Sequence, residues 1–249
     1  IQGLTNTEYF PIFADGQWQP DTELVAIRAM LRRQIDGLIV LGGFLATERI
    51  AELTGEIPLV MVARGTVSRE RDCVCVSNSE ASFLATQHLI ELGHRRIAHI
   101  CGQFDHPDAQ DRQRGYLKAL EAAGIEPAPE LIIEGNFRRQ SGVLAVEMLL
   151  SNRSSFSAIF AANDQMAYGA RLALFRRGIR VPEDLSLVGF DDEPAAAFMI
   201  PPLTTVRQPA VEMGREAARI MLARMKGESA SPANLKAHLM VRESTAFHR

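Results

Sequence analysis

Short apolar segments that suit strands alternate with amphipathic segments that suit helices along almost the whole chain. This alternation constrains the fold more than any other feature of the sequence. It predicts strands at residues 9–14, 37–41, 58–62, 73–76, 97–101, 131–133, 158–161, 185–190 and 236–242. It predicts helices at residues 22–34, 47–54, 78–92, 111–123, 139–150 and 165–177, and a last helix from Pro209. Repeated strand–helix units indicate an α/β fold with doubly wound, mostly parallel sheets.

The bulk composition sets the broad class of the protein. The chain has 249 residues, 47% of them hydrophobic, and a net charge of −3. These values are typical of a soluble globular protein with one large or two small domains, and they argue against nucleic-acid binding by these residues themselves. No apolar segment reaches the length of a membrane span. Residues 1–4 do not begin with Met, and we interpret them as the tail of an element that begins upstream.

The three cysteines suggest neither a disulfide framework nor a metal site. Cys73 and Cys75 are two residues apart in an apolar segment, so we expect them to share one face of a strand without bridging. Together with Cys101 they are interpreted as free, buried thiols in a reducing compartment. No second pair of ligands accompanies them, so a zinc site is not expected.

Catalytic and cofactor-binding patterns are scarce. The sequence contains no Gly-x-Ser-x-Gly, no phosphate-binding Gly-x-x-x-x-Gly-Lys and no His-Glu-x-x-His. The glycines at 42 and 43 follow a predicted strand but lack the spacing of a dinucleotide fingerprint. Neither an enzyme nor a cofactor is therefore predicted.

Polar residues follow three of the predicted strands. Asp191 and Asp192 end one strand, Asn163 and Asp164 follow another, and the polar loop 102–111 follows a third. In open parallel sheets, ligands bind beyond the carboxyl ends of the strands. These positions therefore predict a ligand-binding edge.

Arg112 stands out because its spacing places a cation on the inner stripe of the helix predicted at 111–123. An arginine there could snorkel outward or pair with Asp108 or Asp111. Alternatively, its guanidinium could reach into a cleft and hold hydroxyls or a carboxylate. Its place at the mouth of a strand–helix connection favours the second interpretation.

The other candidates carry equally ordinary alternatives. Asn163 and Asp164 suit the cap of the helix that follows them, which leaves one of the two able to face a ligand. Phe137 could simply pack, and His106, which precedes a proline, could be an exposed loop histidine.

Five segments in order resemble the lactose/galactose repressor family of bacterial transcription regulators. They are Asp36-Gly-Leu-Ile-Val40, His88-Leu-Ile-Glu-Leu-Gly-His-Arg-Arg-Ile97, Ala162-Asn-Asp-Gln-Met-Ala-Tyr-Gly169, Arg180-Val-Pro-Glu-Asp-Leu-Ser-Leu-Val-Gly-Phe-Asp-Asp192 and Pro201-Pro-Leu-Thr-Thr-Val-Arg-Gln-Pro209. The resemblance covers the chain from about residue 9 to its end.

The resemblance implies a periplasmic-binding-protein-like core of type I, with two doubly wound subdomains and an effector in the cleft between them. The N-terminal subdomain would comprise residues 1–77 and 207–234, and the C-terminal subdomain residues 78–206 and 235–249. The family pattern assigns effector contacts to His106, Asp108, Arg112, Phe137, Asn163 and Asp191. Most of these residues also follow from the strand-end positions.

Two functions on this fold differ in class. The first is the effector-sensing and dimerisation core of a cytoplasmic repressor, which binds a sugar and reaches operator DNA through a helix-turn-helix domain absent from these residues. The second is an exported sugar-binding protein of a transporter. Fold alone does not separate them, but the segment 201–209 and the cysteine pattern favour the repressor, which is expected to be a homodimer.

Overall fold

The computed structural model describes residues 2–5, 7–64, 73–152 and 155–248. These residues form two compact units, each made from separate stretches of the chain. Unit 1 comprises Ile1–Val76 and Pro209–Leu235, and unit 2 comprises Ser77–Gln208 and Lys236–Arg249. Both units are α/β with parallel strands, as the alternation of strands and helices predicts.

Unit 1 contains a three-stranded parallel sheet in the order β1-β2-β3. Its strands are β1 (Leu38–Leu41), β2 (Leu59–Val62) and β3 (Cys73–Val74), and its helices are α1 (Pro20–Leu31), α2 (Thr47–Thr54) and α7 (Ala210–Met225). Helix α7 packs against all three strands. Its buried residues Met213, Ala217, Ile220 and Met221 recur at helical spacing and supply that apolar face.

Unit 2 contains a six-stranded sheet in the order β5-β4-β6-β7-β8-β9. Its strands are β4 (Ile97–Cys101), β5 (Ile132–Glu134), β6 (Ala158–Ala161), β7 (Ser186–Asp191), β8 (Thr204–Arg207) and β9 (His238–Met240). Its helices are α3 (Asn78–Glu91), α4 (Pro107–Ala122), α5 (Arg139–Ser151) and α6 (Asp164–Arg176). All neighbouring strands are parallel except β8 and β9, which are antiparallel.

The central strands of unit 2 are buried on both faces. Every residue of β4 and β6 is buried, and alternate side chains contribute to two separate apolar clusters. Ile100 and Ile159 belong to one cluster and Ile97 and Phe160 to the other. Such near-continuous apolar strands are typical of parallel sheets covered by helices. The carboxyl ends of these strands are therefore fixed in place, and the polar residues there are held on a rigid frame.

Three expectations about elements were wrong. Residues 9–14 form no strand: they lack regular structure, Phe10 and Phe13 are exposed, and Pro11 removes a backbone donor. Strand β8 was not predicted, because its residues Thr204–Arg207 lie in a short polar segment between prolines. Helix α4 begins at Pro107, four residues earlier than expected. Pro107 suits the first turn, where its missing N–H costs no hydrogen bond.

The expectation that Cys73 and Cys75 are free thiols is also wrong. The two residues are joined by a disulfide. Their Cα atoms are 5.7 Å apart, inside the range that disulfides span. Cys75 lies just beyond the end of β3, so the two side chains are not held at the spacing of a regular strand. Cys101 is a free, buried cysteine.

No helix within the described ranges combines the length and apolarity that crossing a membrane requires.

Candidate ligand-binding edge of unit 2

The carboxyl ends of β4, β5, β6 and β7 lie side by side and bring the candidate residues to one edge of unit 2. The segment after β4 carries His106, Asp108 and Arg112, the segment after β5 carries Phe137, and Asn163 and Asp191 come from β6 and β7. Hydrogen bonds, an ion pair and a ring contact join them into one group. Such an edge is where open α/β sheets bind ligands.

Arg112 lies in the second turn of α4 and points into the unit. The residue is 5% exposed, and its guanidinium lies over the Phe190 ring with Cζ 3.8 Å from the ring centroid. Its Nε donates to Asn78 Oδ1 at 3.0 Å and its Nη1 donates to the carbonyl of Ala162. These contacts exclude an outward, snorkelling side chain. An arginine fixed by stacking and two hydrogen bonds is a preorganised donor.

Asp191 is the last residue of β7 and lies beside Arg112. Its Oδ1 is 3.7 Å from Arg112 Nη1 and accepts a hydrogen bond from Gln208 Nε2 at 2.7 Å. Its Oδ2 accepts no hydrogen bond from a described residue, and 28% of the side chain is exposed. Partial burial raises the pKa of Asp191, although Arg112 and Gln208 favour the charged form. The partly exposed carboxylate therefore has an open acceptor oxygen next to a cation.

The backbone of Asp191 is also unusual. Its φ is 111° and that of Asp192 is 56°, a left-handed region that costs a non-glycine residue roughly 1–3 kcal/mol. Phe137, at the same edge, has φ 62°. Among the described residues of unit 2, these three are the non-glycine residues with positive φ, whereas the other four in the chain lie in unit 1. Backbone strain of this kind often occurs at functional sites.

His106 and Asp108 open helix α4. His106 is buried and is the N-cap, since its Nδ1 accepts from the Asp108 backbone N–H at 3.2 Å. The interpretation of His106 as an exposed loop histidine is therefore wrong, because the earlier start of α4 draws it into the fold. Asp108 Oδ1 accepts from Asn78 Nδ2 at 3.1 Å. Asp108 and Arg112 are thus linked through one asparagine rather than paired directly.

Phe137 and Asn163 lie next to each other at this edge. Asn163 Nδ2 donates to the Phe137 carbonyl at 2.9 Å, while its Oδ1 caps α6 by accepting from Met166 N at 2.9 Å. The Phe137 ring meets the His106 ring edge-on, with centroids 5.3 Å apart. Asn163 therefore performs the capping role, and it also fixes the backbone that carries the aromatic ring.

The second residue of each polar pair is structural. Asp164 is fully buried and accepts from Thr205 Oγ1 at 2.6 Å and from Glu193 N at 2.8 Å. Burial raises the pKa of Asp164 to about 7. Asp192 forms ion pairs of 2.6 Å with both Arg207 and Arg242.

Sequence reasoning missed Asn78 and Gln208. Asn78 is the first residue of α3 and touches both Arg112 and Asp108, and Gln208 follows β8 and touches Asp191. Asn78 could have been considered because it follows a predicted strand, but its neighbour Ser77 accounted for the helix cap. Gln208 carried no such signal, because β8 itself was not predicted.

No group of three or more His, Cys, Asp or Glu side chains is placed to hold a metal ion in the part of the chain that the structure describes. The edge instead offers hydrogen-bond donors, carboxylate acceptors and an aromatic ring, which together suit an organic molecule that carries hydroxyl groups.

Comparison with known proteins shows the family of the chain. Residues 86–245 match the family model of the periplasmic binding protein-like domain. The repressor CytR of Escherichia coli (strain K12) is 35% identical over 243 residues, which cover 96% of this chain and 71% of CytR. The repressor PurR of Aliivibrio salmonicida is 36% identical over 202 residues, which cover 80% of this chain and 61% of PurR. Both relatives are named HTH-type transcriptional repressors.

A solved structure agrees with these relatives. A sugar-binding transcriptional regulator of the LacI family from E. coli, complexed with phosphate, superposes with a TM-score of 0.84 at 33% identity. The match covers 95% of this chain and 86% of that regulator. The chain belongs to the lactose/galactose repressor (LacI) family of transcriptional regulators and contains its periplasmic-binding-protein-like core.

Proposed function

We propose that this chain is the effector-sensing core of a bacterial transcriptional repressor and that its effector is a small sugar or sugar-like molecule. The matched relatives are repressors and not enzymes, and one similar structure is described as sugar-binding. The chain spans about three fifths of the PurR relative. Operator DNA would be bound by a helix-turn-helix domain that is not among these 249 residues, and the protein would act in the cytoplasm.

The pairing of Arg112 with Asp191 is the observation that carries the effector proposal. A buried guanidinium and a partly exposed carboxylate lie 3.7 Å apart at a strand edge. A sugar hydroxyl can accept from the first and donate to the second, and an aromatic ring such as Phe137 can stack on the apolar face of a sugar. His106, Asp108 and Asn163 would complete the contacts. An exported binding protein is not favoured, since the matched relatives are repressors.

A thermal-shift screen of free sugars and nucleosides tests the proposal. A ligand at a hundred times its dissociation constant should stabilise the protein by about 2.7 kcal/mol. Calorimetric titration of the best ligand against Asp191→Asn should show at least about tenfold weaker binding, because a charge-assisted acceptor becomes a donor on one atom.

Asp192→Asn is the matched control. Asp192 is committed to Arg207 and Arg242, so its change should leave the affinity close to that of the parent. If the Asp192 variant loses binding and the Asp191 variant keeps it, the assignment of the edge is wrong.

A homodimer is the second part of the proposal. Helices α5 and α6 pack together in unit 2, and each leaves two large apolar side chains exposed: Leu144 and Met148 on α5, and Leu172 and Phe175 on α6. Exposed apolar side chains on neighbouring helices suit an isologous contact with a second copy. Sedimentation at micromolar concentration should show a species of twice the 27.5 kDa chain mass. A monomer under these conditions would contradict this part.

A further inference from the structure

Arg112 and Asp191 are close but do not form a hydrogen-bonded ion pair. Their nearest atoms are 3.7 Å apart, whereas charge-assisted N–H···O bonds measure roughly 2.7–2.9 Å. In the same unit, Asp192 and Arg242 do form a hydrogen-bonded ion pair, with 2.6 Å between their nearest atoms. Two opposite charges at a partly buried edge attract each other, so other contacts must hold this pair apart.

Asn78 holds the arginine. Its Oδ1 accepts from Arg112 Nε at 3.0 Å while its Nδ2 donates to Asp108 Oδ1 at 3.1 Å. The amide can adopt only this orientation, because a flipped amide would set N–H against N–H and oxygen against carboxylate. Asn78 is buried in the first turn of α3, whose cap is Ser77. Arg112 is therefore drawn toward α3 and the Ala162 carbonyl, away from Asp191.

Gln208 holds the aspartate. Its Nε2 donates to Asp191 Oδ1 at 2.7 Å, and Oδ1 is also the oxygen nearest to Arg112. This bond offsets part of the attraction toward the guanidinium and leaves Oδ2 without a hydrogen bond from a described residue. The carboxylate is thus fixed by a neutral donor from the residue that follows β8, the strand next to β7.

We propose that Asn78 and Gln208 are positioning residues that keep Arg112 and Asp191 apart as an open donor and acceptor for one hydroxyl group of the effector. The inference rests on the proposed function. A hydroxyl oxygen that accepts from Arg112 and donates to Asp191 Oδ2 makes good hydrogen bonds to both only if the two side chains remain separate. Without the two amides the pair closes on itself, and the effector must then break an ion pair before it can bind.

The positions of the two amides in the chain give the inference a second consequence. The chain passes from unit 1 to unit 2 between Val76 and Ser77, and it returns to unit 1 after Gln208. Asn78 and Gln208 therefore lie within two residues of these crossings. The side chains that would hold the hydroxyl site open therefore lie next to two of the crossings.

A double-mutant cycle tests the inference. The probe is whichever of D-ribose, D-glucose, cellobiose, adenosine and cytidine raises the Tm of the parent most. Gln208→Met keeps the side-chain length but removes the donor, and calorimetry should show at least about tenfold weaker binding. In the Asp191→Asn background the same change should have no further effect, since its partner is already altered. A merely structural role would weaken binding equally in both backgrounds.

Gln165→Met is the matched control, because Gln165 Nε2 donates to Glu193 and not to Asp191. Its affinity should stay within about twofold of the parent.

A second double-mutant cycle combines Asn78→Leu with Arg112→Met and is measured in the same way. If Asn78→Leu does not fold, the Gln208 cycle decides alone. Parent-like binding by Gln208→Met, or equal losses in the two backgrounds, would overturn the inference while the proposed function stands. If no probe raises the Tm of the parent, the proposed function fails and the inference fails with it.

Discussion

Asp164 offers a quantitative test of how the edge of unit 2 is built. The carboxylate is fully buried, and burial raises its pKa from 3.8 to about 7 despite hydrogen bonds from Thr205 and Glu193 N. Asp191 and Glu193 add negative charge nearby and act in the same direction. Because the folded state holds its proton to higher pH than the unfolded state, stability is lost as pH rises from 3.8 to 7 and is constant above that range. At 1.36 kcal/mol per pH unit, the loss across the window is about 4 kcal/mol.

Asp164→Asn removes this titration and keeps the shape. The amide oxygen can still accept from Glu193 N, and the amide N–H can donate to Thr205 Oγ1, so the variant mimics the protonated acid. The difference in unfolding free energy between the variant and the parent should shift in favour of the variant by about 3 kcal/mol between pH 4.5 and 6.5. Urea unfolding across that range measures it, and the other titrating groups cancel in the difference.

Asp184→Asn is the control for this experiment. Asp184 is exposed, and its hydrogen bond with Arg180 lowers its pKa to about 2, so it is ionised in both states over the same range. The difference in unfolding free energy between Asp184→Asn and the parent should not change with pH. A flat difference for Asp164→Asn as well would refute the assignment of a buried, proton-binding carboxyl at the start of α6.

Three further predictions concern stability. His99 is buried between the Tyr116 and Phe160 rings, and desolvation lowers its pKa from 6.5 to about 4. Because folding favours the neutral form of His99, the free energy of unfolding should fall by about 3 kcal/mol as the pH is lowered from 6.5 to 4. A His99→Phe variant should not show this loss, and denaturant unfolding at both pH values measures the difference. Gly142→Ala should destabilise the protein by at least about 1–3 kcal/mol in urea unfolding, since its Cβ would lie 2.0 Å from the Met166 carbonyl oxygen. A Cβ atom added at Gly214, on the exposed face of α7, would have no atom within 4 Å, so Gly214→Ala should stabilise the protein by roughly 0.5–1 kcal/mol. A loss of stability in this variant would contradict the packing of that helix.

The parallel α/β class of the fold could be predicted from the sequence because two patterns indicate its strands: an apolar segment of strand length, and a helical segment that follows it. The predicted strands at 97–101 and 158–161 are apolar except for His99, and each is followed by a segment with helical periodicity. Where only one signal existed, the prediction failed. Residues 9–14 have strand-like composition but form no strand, and Thr204–Arg207 lacks that apolar composition and yet forms β8 through pairing with β7 and β9.

The candidate edge was only partly predictable, for a related reason. Residues that end a strand can be assigned to the sheet edge from the sequence, so Asp191 and Asn163 were found. Asn78 and Gln208 reach the same edge through contacts over 34 and 17 residues of sequence, and such contacts depend on tertiary packing. The effector roles of the six predicted residues remain predictions until a ligand is bound.

Asp191 and Asp192 show why adjacent identical residues cannot be separated by their position at a strand end alone. Both follow the same apolar strand, and both have positive φ. They differ in their ion-pair partners. Arg207 and Arg242 each lie 2.6 Å from Asp192, while Arg112 lies 3.7 Å from Asp191. A carboxylate with two bonded cations has little remaining attraction for a neutral hydroxyl, and one with a single distant cation and an open oxygen retains it. The turn therefore presents one carboxylate that two arginines hold and one that keeps an open oxygen, and the second is the one that we propose as the effector acceptor.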